Sequence, residues 1–172
     1  MTSILRTKLY VPSVRPTLVP RRRLVEEVNG GLQGKLTLIS APAGFGKTTL
    51  VAEWVNALRN TQDASGNPVW QVAWLSLDPQ DNDLARFLAY LIAALNQVEG
   101  IELPLDESLG VLQTAQPRPG EAFMTALINE LAAVRTSVVL VLDDYHVIET
   151  QSIHDALRFL VENLPHQLHL VI

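Results

Sequence analysis

The chain reads as an α/β protein: a parallel sheet with helices on both faces, stacked as a three-layer sandwich. Three observations predict it. Apolar β-rich runs alternate with segments of helical spacing in the order β-α-β-α-β-α-β. One run, "SVVLVL" (Ser137–Leu142), is continuously apolar and β-branched, which fits a strand covered on both faces. A glycine-bearing loop, "APAGFGKTTL" (Ala41–Leu50), joins the first strand candidate to the first long helix.

Residues 1–20 read as an extended arm, because Pro12, Pro16 and Pro20 bar a long helix and "TKLYVP" alternates weakly. Residues 21–30 read as a short helix closed by "NGG". Together these form an arm-and-helix unit, residues 1–30, and residues 31–172 form the core. "KLTLIS" (Lys35–Ser40) is the first strand candidate. "KTTLVAEWVNALRN" follows the glycine loop, with Leu50, Val51, Trp54, Val55 and Leu58 at helical spacing. "DASGNP" breaks it. "VAWLSL" (Val72–Leu77) is the second strand. Asp83 is placed to cap a helix over Leu84–Val98, whose apolar positions cover most of the circumference and predict burial on more than one side. Residues 99–119 are loop-rich with three prolines, and a short helix is expected near 106–113. Helices over Gly120–Val134 and Ser152–Asn163 flank the third strand, and "LHLVI" opens a fourth. The sequence ends inside that strand, which predicts a longer parent protein.

A chain of 172 residues, 48% apolar and 18% charged, suits one globular domain with a real core. No uncharged apolar run reaches the roughly 18 residues of a membrane span, and no signal-peptide pattern opens the chain. A cytoplasmic location is expected. The absence of cysteine excludes disulfides, thiolate zinc sites and thiol catalysis. The net charge of −5 is uneven. Residues 1–35 hold seven of the thirteen basic residues, whereas the remainder carries sixteen acidic residues against six basic ones. So acidic a body argues against direct nucleic-acid binding.

The glycine loop carries the chemistry. Ala41-x-x-x-x-Gly46-Lys47-Thr48 between a strand and a helix is the P-loop arrangement, with alanine at the usual first glycine. Small residues let backbone N–H groups wrap a phosphate chain, and the helix N-terminus adds unpaired donors and its positive dipole end. Ala41, Pro42, Ala43, Gly44, Phe45 and Gly46 would form the cradle, with Pro42 and Phe45 stiffening it. Lys47 is expected to reach the β- and γ-phosphates, Thr48 to bind Mg²⁺ and Thr49 to donate to the α-phosphate. "VVLVLDDYH" supplies the metal partner. Asp143 and Asp144 end the third strand, at the carboxyl edge where parallel sheets bind ligands. Asp143 is expected to hold Mg²⁺ through water. Asp144 is placed to orient or deprotonate an attacking water, or else to cap the next turn. Thr48 and Asp143 lie 95 residues apart, so another strand must stand between the two in sequence. Asp78 also ends a strand but reads as a turn cap. His146 reads as a structural hydrogen-bonding residue, and His154, His166 and His169 show no metal spacing. Trp54, Trp70 and Trp74 read as packing residues.

Four segments in order resemble the nucleotide-binding domain of the large ATP-binding LuxR-type transcription regulators. This is the maltose-regulon activator group, within the signal-transduction ATPases with numerous domains. The segments are "TKLYVPSVRPTLVPRRRLVEEV", "LTLISAPAGFGKTTLVAEW", "VAWLSLDPQDNDLARFLAYLIAAL" and "LVLDDYHVI". The resemblance implies a P-loop NTPase fold cut after its fourth core strand, with that strand between the first and third. It implies that ATP or ADP binds and sets oligomerisation, and that DNA is bound only through a C-terminal helix-turn-helix domain beyond this chain. It also implies that the arm covers the adenine, which points to Val19, Pro20, Arg21 and Arg23. A fifth strand would lie beside the first, so self-association through the open edge is expected. The leading expectation is thus a Mg²⁺–ATP-binding switch domain with slow hydrolysis. The alternatives are a P-loop small-molecule kinase or other metabolic NTPase, and an interaction module that has lost turnover.

Overall fold

The computed structural model describes residues 4–14, 19, 21–66, 68–103 and 119–172. Pro20 and the helix expected near 106–113 lie outside the described residues. In chain order the elements are helix α1 (Arg22–Gly30), strand β1 (Leu36–Thr37), α2 (Lys47–Arg59), β2 (Trp70–Ser76), α3 (Leu84–Leu95), α4 (Pro119–Ala133), β3 (Ser137–Asp143), α5 (Gln151–Glu162) and β4 (Leu168–Val171). Single 3₁₀ turns cover Arg6–Leu9, Gly31–Gln33, Pro79–Asn82 and Tyr145–Val147.

The four strands form one sheet in the order β1-β4-β3-β2, and every pair is parallel. This is the order that puts the fourth strand between the first and third. β2 and β3 pair over seven residues, from Trp70 opposite Ser137 to Ser76 opposite Asp143. Alternation along β3 builds the three layers. Val138, Leu140 and Leu142 face a core shared with α3, α4 and α5. Val139 and Val141 face a second core made by α1 and α2 around Trp54, Trp74 and Val55. Both faces of β3 are therefore dry, as its continuous apolar run requires.

The helices bury the stripes their spacing predicts. α2 buries Leu50, Val51, Trp54, Val55 and Leu58, and each large side chain so buried stabilises by about 1.5–3 kcal/mol. α3 buries eight of its residues, including Phe87, Leu88, Tyr90, Leu91 and Leu95, around most of its circumference. It begins where Asp83 Oδ1 accepts the Arg86 N–H at 2.8 Å.

Three local expectations are corrected. α3 ends at Leu95 rather than Val98. The Asn96 amide pairs both backbone groups of Leu103, at 3.0 and 2.8 Å, and turns the chain away. β1 is a two-residue strand rather than Lys35–Ser40, although backbone bonds to β4 and Ile172 run from the Lys35 carbonyl to the Ile39 N–H. The arm is not extended throughout. It makes a 3₁₀ turn at Arg6–Leu9, because Lys8 and Leu9 are both drawn inside.

Candidate functional site

The loop between β1 and α2 depends on two glycines. Gly44 and Gly46 have φ of +82° and +75°, a region that side chains with a Cβ rarely adopt. The Phe45 N–H closes a turn on the Pro42 carbonyl at 3.3 Å. α2 then starts at Lys47 with Gly46 as its N-cap, so no side chain caps the helix. The first-turn N–H groups of Lys47, Thr48 and Thr49 consequently have no intrahelical acceptor and form a donor cluster at the positive end of the helix. A loop of this shape, ending on an uncapped helix, suits an anion with several oxygens. Ala41 has no positive φ, so alanine replaces the first glycine of the pattern without strain.

Lys47 reaches back along the loop, its ammonium donating to the Ala41 carbonyl at 2.8 Å. Thr48 turns the other way, and its hydroxyl donates to Asp143 Oδ1 at 2.8 Å. This contact joins residues 95 positions apart, across the C-terminal edge of the sheet. A hydroxyl oxygen and a carboxylate oxygen held together beside a phosphate cradle are a hard, oxygen-only donor pair that suits Mg²⁺. Burial pushes the Asp143 carboxyl above its ordinary value. The charge of Asp144 adds to this, while the Thr48 hydroxyl and the Lys47 charge oppose it. A cation bound at Asp143 would relieve that penalty.

Asp144 is the only non-glycine with positive φ among the described residues, at φ 58° and ψ 31°. Aspartate tolerates this conformation better than most residues. It swings the chain out of β3 into the 3₁₀ turn Tyr145–Val147. Asp144 is exposed, and its Oδ1 lies 3.7 Å from His146 Nδ1. The His146 ring is also exposed and makes no close hydrogen bond to this carboxylate. The Tyr145 hydroxyl meets His154 Nδ1 at 2.5 Å, and burial pushes its pKa up to about 12.

Besides a third cleft at its tip, lined by Gly44, Lys47, Thr48, Asp144, His146 and Val147, two clefts meet at the loop. One, of about 390 Å³, is lined by Ala41, Ala43, Lys47, Asp143, Asp144 and His146 together with the end of β4. The other, of about 590 Å³, lies between α1 and β1 and is lined by Arg21, Leu24, Val28, Leu38, Phe45 and Gly46 among others. Its walls are largely apolar and would accept a flat aromatic ring. Arg21 ties α1 to the loop. Its guanidinium donates to the Phe45 carbonyl at 3.1 Å, and its backbone N–H is accepted by Glu53 Oε1 at 3.2 Å.

The structure thus brings together Ala41, Ala43, Gly44, Phe45, Gly46, Lys47, Thr48, Asp143, Asp144 and Arg21. The Pro42 carbonyl is 3.5 Å from the Lys47 ammonium, and Thr49 sits on the first turn of α2 without lining either cleft. Arg23 does not join them: it is 83% exposed and pairs with Glu27 at 3.2 Å along its own helix. Val19 is exposed and lines neither cleft. Asp78 caps the Pro79–Asn82 turn, its Oδ1 accepting the Gln80 N–H at 2.8 Å. Trp54 and Trp74 are buried, and Trp70 is packed at the margin of the same core. His169 is buried, with Nδ1 2.8 Å from the Gly34 carbonyl and Nε2 2.9 Å from the Thr37 hydroxyl. A carbonyl can only accept, so Nδ1 carries the proton and Nε2 takes the threonine hydrogen. Sequence reasoning overlooked Asn82, Lys8 and Asp81, whose side chains fix the loops around the site. The spacing of Asp78 and Asp81 is that of a capping box, but nothing local marks Lys8 or the reach of Asn82, whose partners Asp81 and Val147 lie 73 and 65 residues away. Among the described residues no cluster of three or more His, Asp or Glu could hold a metal by itself, and no helix is long and apolar enough to cross a membrane.

Comparison with known proteins gives the family and the fold. The chain is 36% identical over 169 residues to the HTH-type transcriptional regulator MalT of Klebsiella pneumoniae and of Cronobacter sakazakii. The match covers 98% of this chain but only 17% of those relatives' length. A chain in a solved structure titled "Structure of Drosophila ORC bound to DNA" superposes with a TM-score of 0.59 at 18% identity, over 96% of this chain and 41% of that one. That likeness is one of fold alone. The AAA ATPase domain family matches residues 21–172, which takes in α1, the loop, both cores and the acidic strand. With a parallel α/β sheet that brings a glycine loop to the end of an acidic strand across one intervening strand, the chain belongs to the AAA ATPase domain family.

Proposed function

We propose that this chain is the Mg²⁺–ATP/ADP-binding switch domain of a cytoplasmic transcription regulator of the MalT kind, with slow ATP hydrolysis. The observation that carries the reading is the Thr48–Asp143 contact at 2.8 Å, set beside Lys47 and the uncapped start of α2. The nucleoside would lie in the cleft between α1 and β1, with Arg21 and Phe45 at its edge, and the phosphates would follow the loop from Ala41 to Thr49. Mg²⁺ would be held by Thr48 and Asp143 and would neutralise phosphate charge. Asp144, exposed and next to that position, would orient or deprotonate the attacking water. Nucleotide state would set self-association of the full-length protein. DNA would be contacted through another part of the full-length protein.

The test is nucleotide affinity. A charge-assisted hydrogen bond to phosphate contributes roughly 1.5–3 kcal/mol. Lys47→Ala is therefore expected to weaken ATP binding about 10- to 150-fold in calorimetry. Equal affinity for wild type and a folded variant would refute the assignment.

A further inference from the structure

The acidic turn after β3 is fastened at its far end by one side chain from the neighbouring loop. Asn82 ends the 3₁₀ turn Pro79–Asn82, after β2. Its Oδ1 accepts the N–H groups of Glu149 at 2.7 Å and Thr150 at 3.1 Å. Its Nδ2 donates to the Val147 carbonyl at 2.8 Å and to the Pro79 carbonyl at 3.2 Å. Thr150 is the N-cap of α5, yet its hydroxyl makes no capping bond. It donates instead to the Asn82 carbonyl at 2.7 Å. The two accepted N–H groups fix which way the amide points.

Asn82 is itself held firmly. The preceding residue, Asp81, is fully buried and receives the Lys8 ammonium, Arg86 Nε at 3.1 Å and the Asp78 N–H at 2.9 Å. On the other side, Val147 lines the same cleft as Gly44, Lys47, Thr48, Asp144 and His146. A rigid anchor therefore meets the turn a few residues beyond Asp144, at a residue that walls the phosphate-loop cleft.

Resting on the nucleotide-binding reading above, we infer that Asn82 is a positioning residue for the acidic turn. It sets where Asp144 stands relative to the terminal phosphate, and it touches no nucleotide itself. Only an amide fits the role. A carboxylate would keep the acceptors for Glu149 and Thr150 but would face the Val147 carbonyl without a donor.

The test separates the diphosphate site from the transferring phosphoryl group. Calorimetry would compare Mg-ADP with Mg-ADP plus aluminium fluoride, which mimics the phosphoryl group in flight. Amide hydrogen exchange would follow Glu149 and Thr150 in the same proteins. Asn82→Ala is expected to leave Mg-ADP affinity within about twofold, and to lose at least tenfold of the extra affinity given by aluminium fluoride. Exchange at Glu149 and Thr150 should speed up at least tenfold. Asn82→Asp should follow Asn82→Ala in the fluoride measurement. Thr150→Val keeps the Asn82 side chain and should shift the fluoride affinity in the same direction by less, which keeps the inference testable if Asn82→Ala does not fold. Equal loss of both affinities would make Asn82 a merely structural residue and overturn the inference, as would unchanged exchange. If the wild-type chain bound neither ligand, the nucleotide reading would fail instead, and exchange alone would decide whether Asn82 holds the turn.

Discussion

Asp81→Ala is expected to undo the clasp that binds the N-terminal arm to the sheet edge. Asp81 is fully buried and the Lys8 side chain is 7% exposed. The ammonium sits between Asp81 Oδ2 and Asp78 Oδ2, the latter at 3.1 Å, and 4.5 Å from the centre of the Tyr90 ring. Removing one member of a buried pair costs about 3–5 kcal/mol, because the other charge stays out of water without its partner. Here Asp78 and the Tyr90 ring still face Lys8, so the loss should fall near the lower end, about 3 kcal/mol. In a chain of this size each kcal/mol moves Tm by about 2–4 °C, so scanning calorimetry should show a drop of roughly 6–12 °C. The double variant Lys8→Met, Asp81→Ala should recover part of that loss, since no ammonium is left buried; Arg86, one-third exposed, can turn to water. Urea unfolding of the wild type, both single variants and the double variant closes the cycle. A loss below about 1 kcal/mol for Asp81→Ala, or a double variant no better than the sum of the singles, would show that the pair is hydrated and that it does not hold the arm.

Two further outcomes follow from titrating groups. Burial raises the Asp143 carboxyl above its ordinary 3.8, so the folded state binds its proton more tightly than the unfolded chain. The wild type should then lose stability as pH rises from 3.8 through the raised value. Asp143→Asn should be the more stable protein above that window in the absence of Mg²⁺, while losing Mg²⁺ dependence of ATP binding; equal thermal stability at pH 7 would refute the burial penalty. Burial lowers His169 below 6.5, against the pull of the Gly34 carbonyl. The unfolded chain then takes up the proton first, and stability should fall as pH drops below 6.5 towards the lowered value. His169→Gln should flatten that slope in urea unfolding between pH 7 and 5, and an unchanged slope would assign the acid sensitivity elsewhere.

The sequence by itself determined the elements and the chemistry of their ends. A period of 3.6 placed α2 and α3, and the unbroken apolar run placed β3, because burial on one stripe or on two faces leaves a mark on adjacent residues. The glycine loop was legible for the same reason: Gly44, Gly46, the lysine and the threonine all lie within a few residues of one another. Asp143 was readable as the end of an apolar strand. What adjacency does not encode, the tertiary structure decided. The parallel order β1-β4-β3-β2 brought Thr48 against Asp143 and set the loop after β2 beside the loop after β3. Only then did Asn82 find Val147 and Thr150, and Lys8 find Asp81, across 65 to 73 positions of sequence. A polar side chain that serves a distant backbone has no period and no motif. Its role comes from the unpaired N–H and C=O groups that folding places within its reach. The same holds for Arg23, which the family resemblance pointed towards the site but whose place on α1 sends it to Glu27 and solvent.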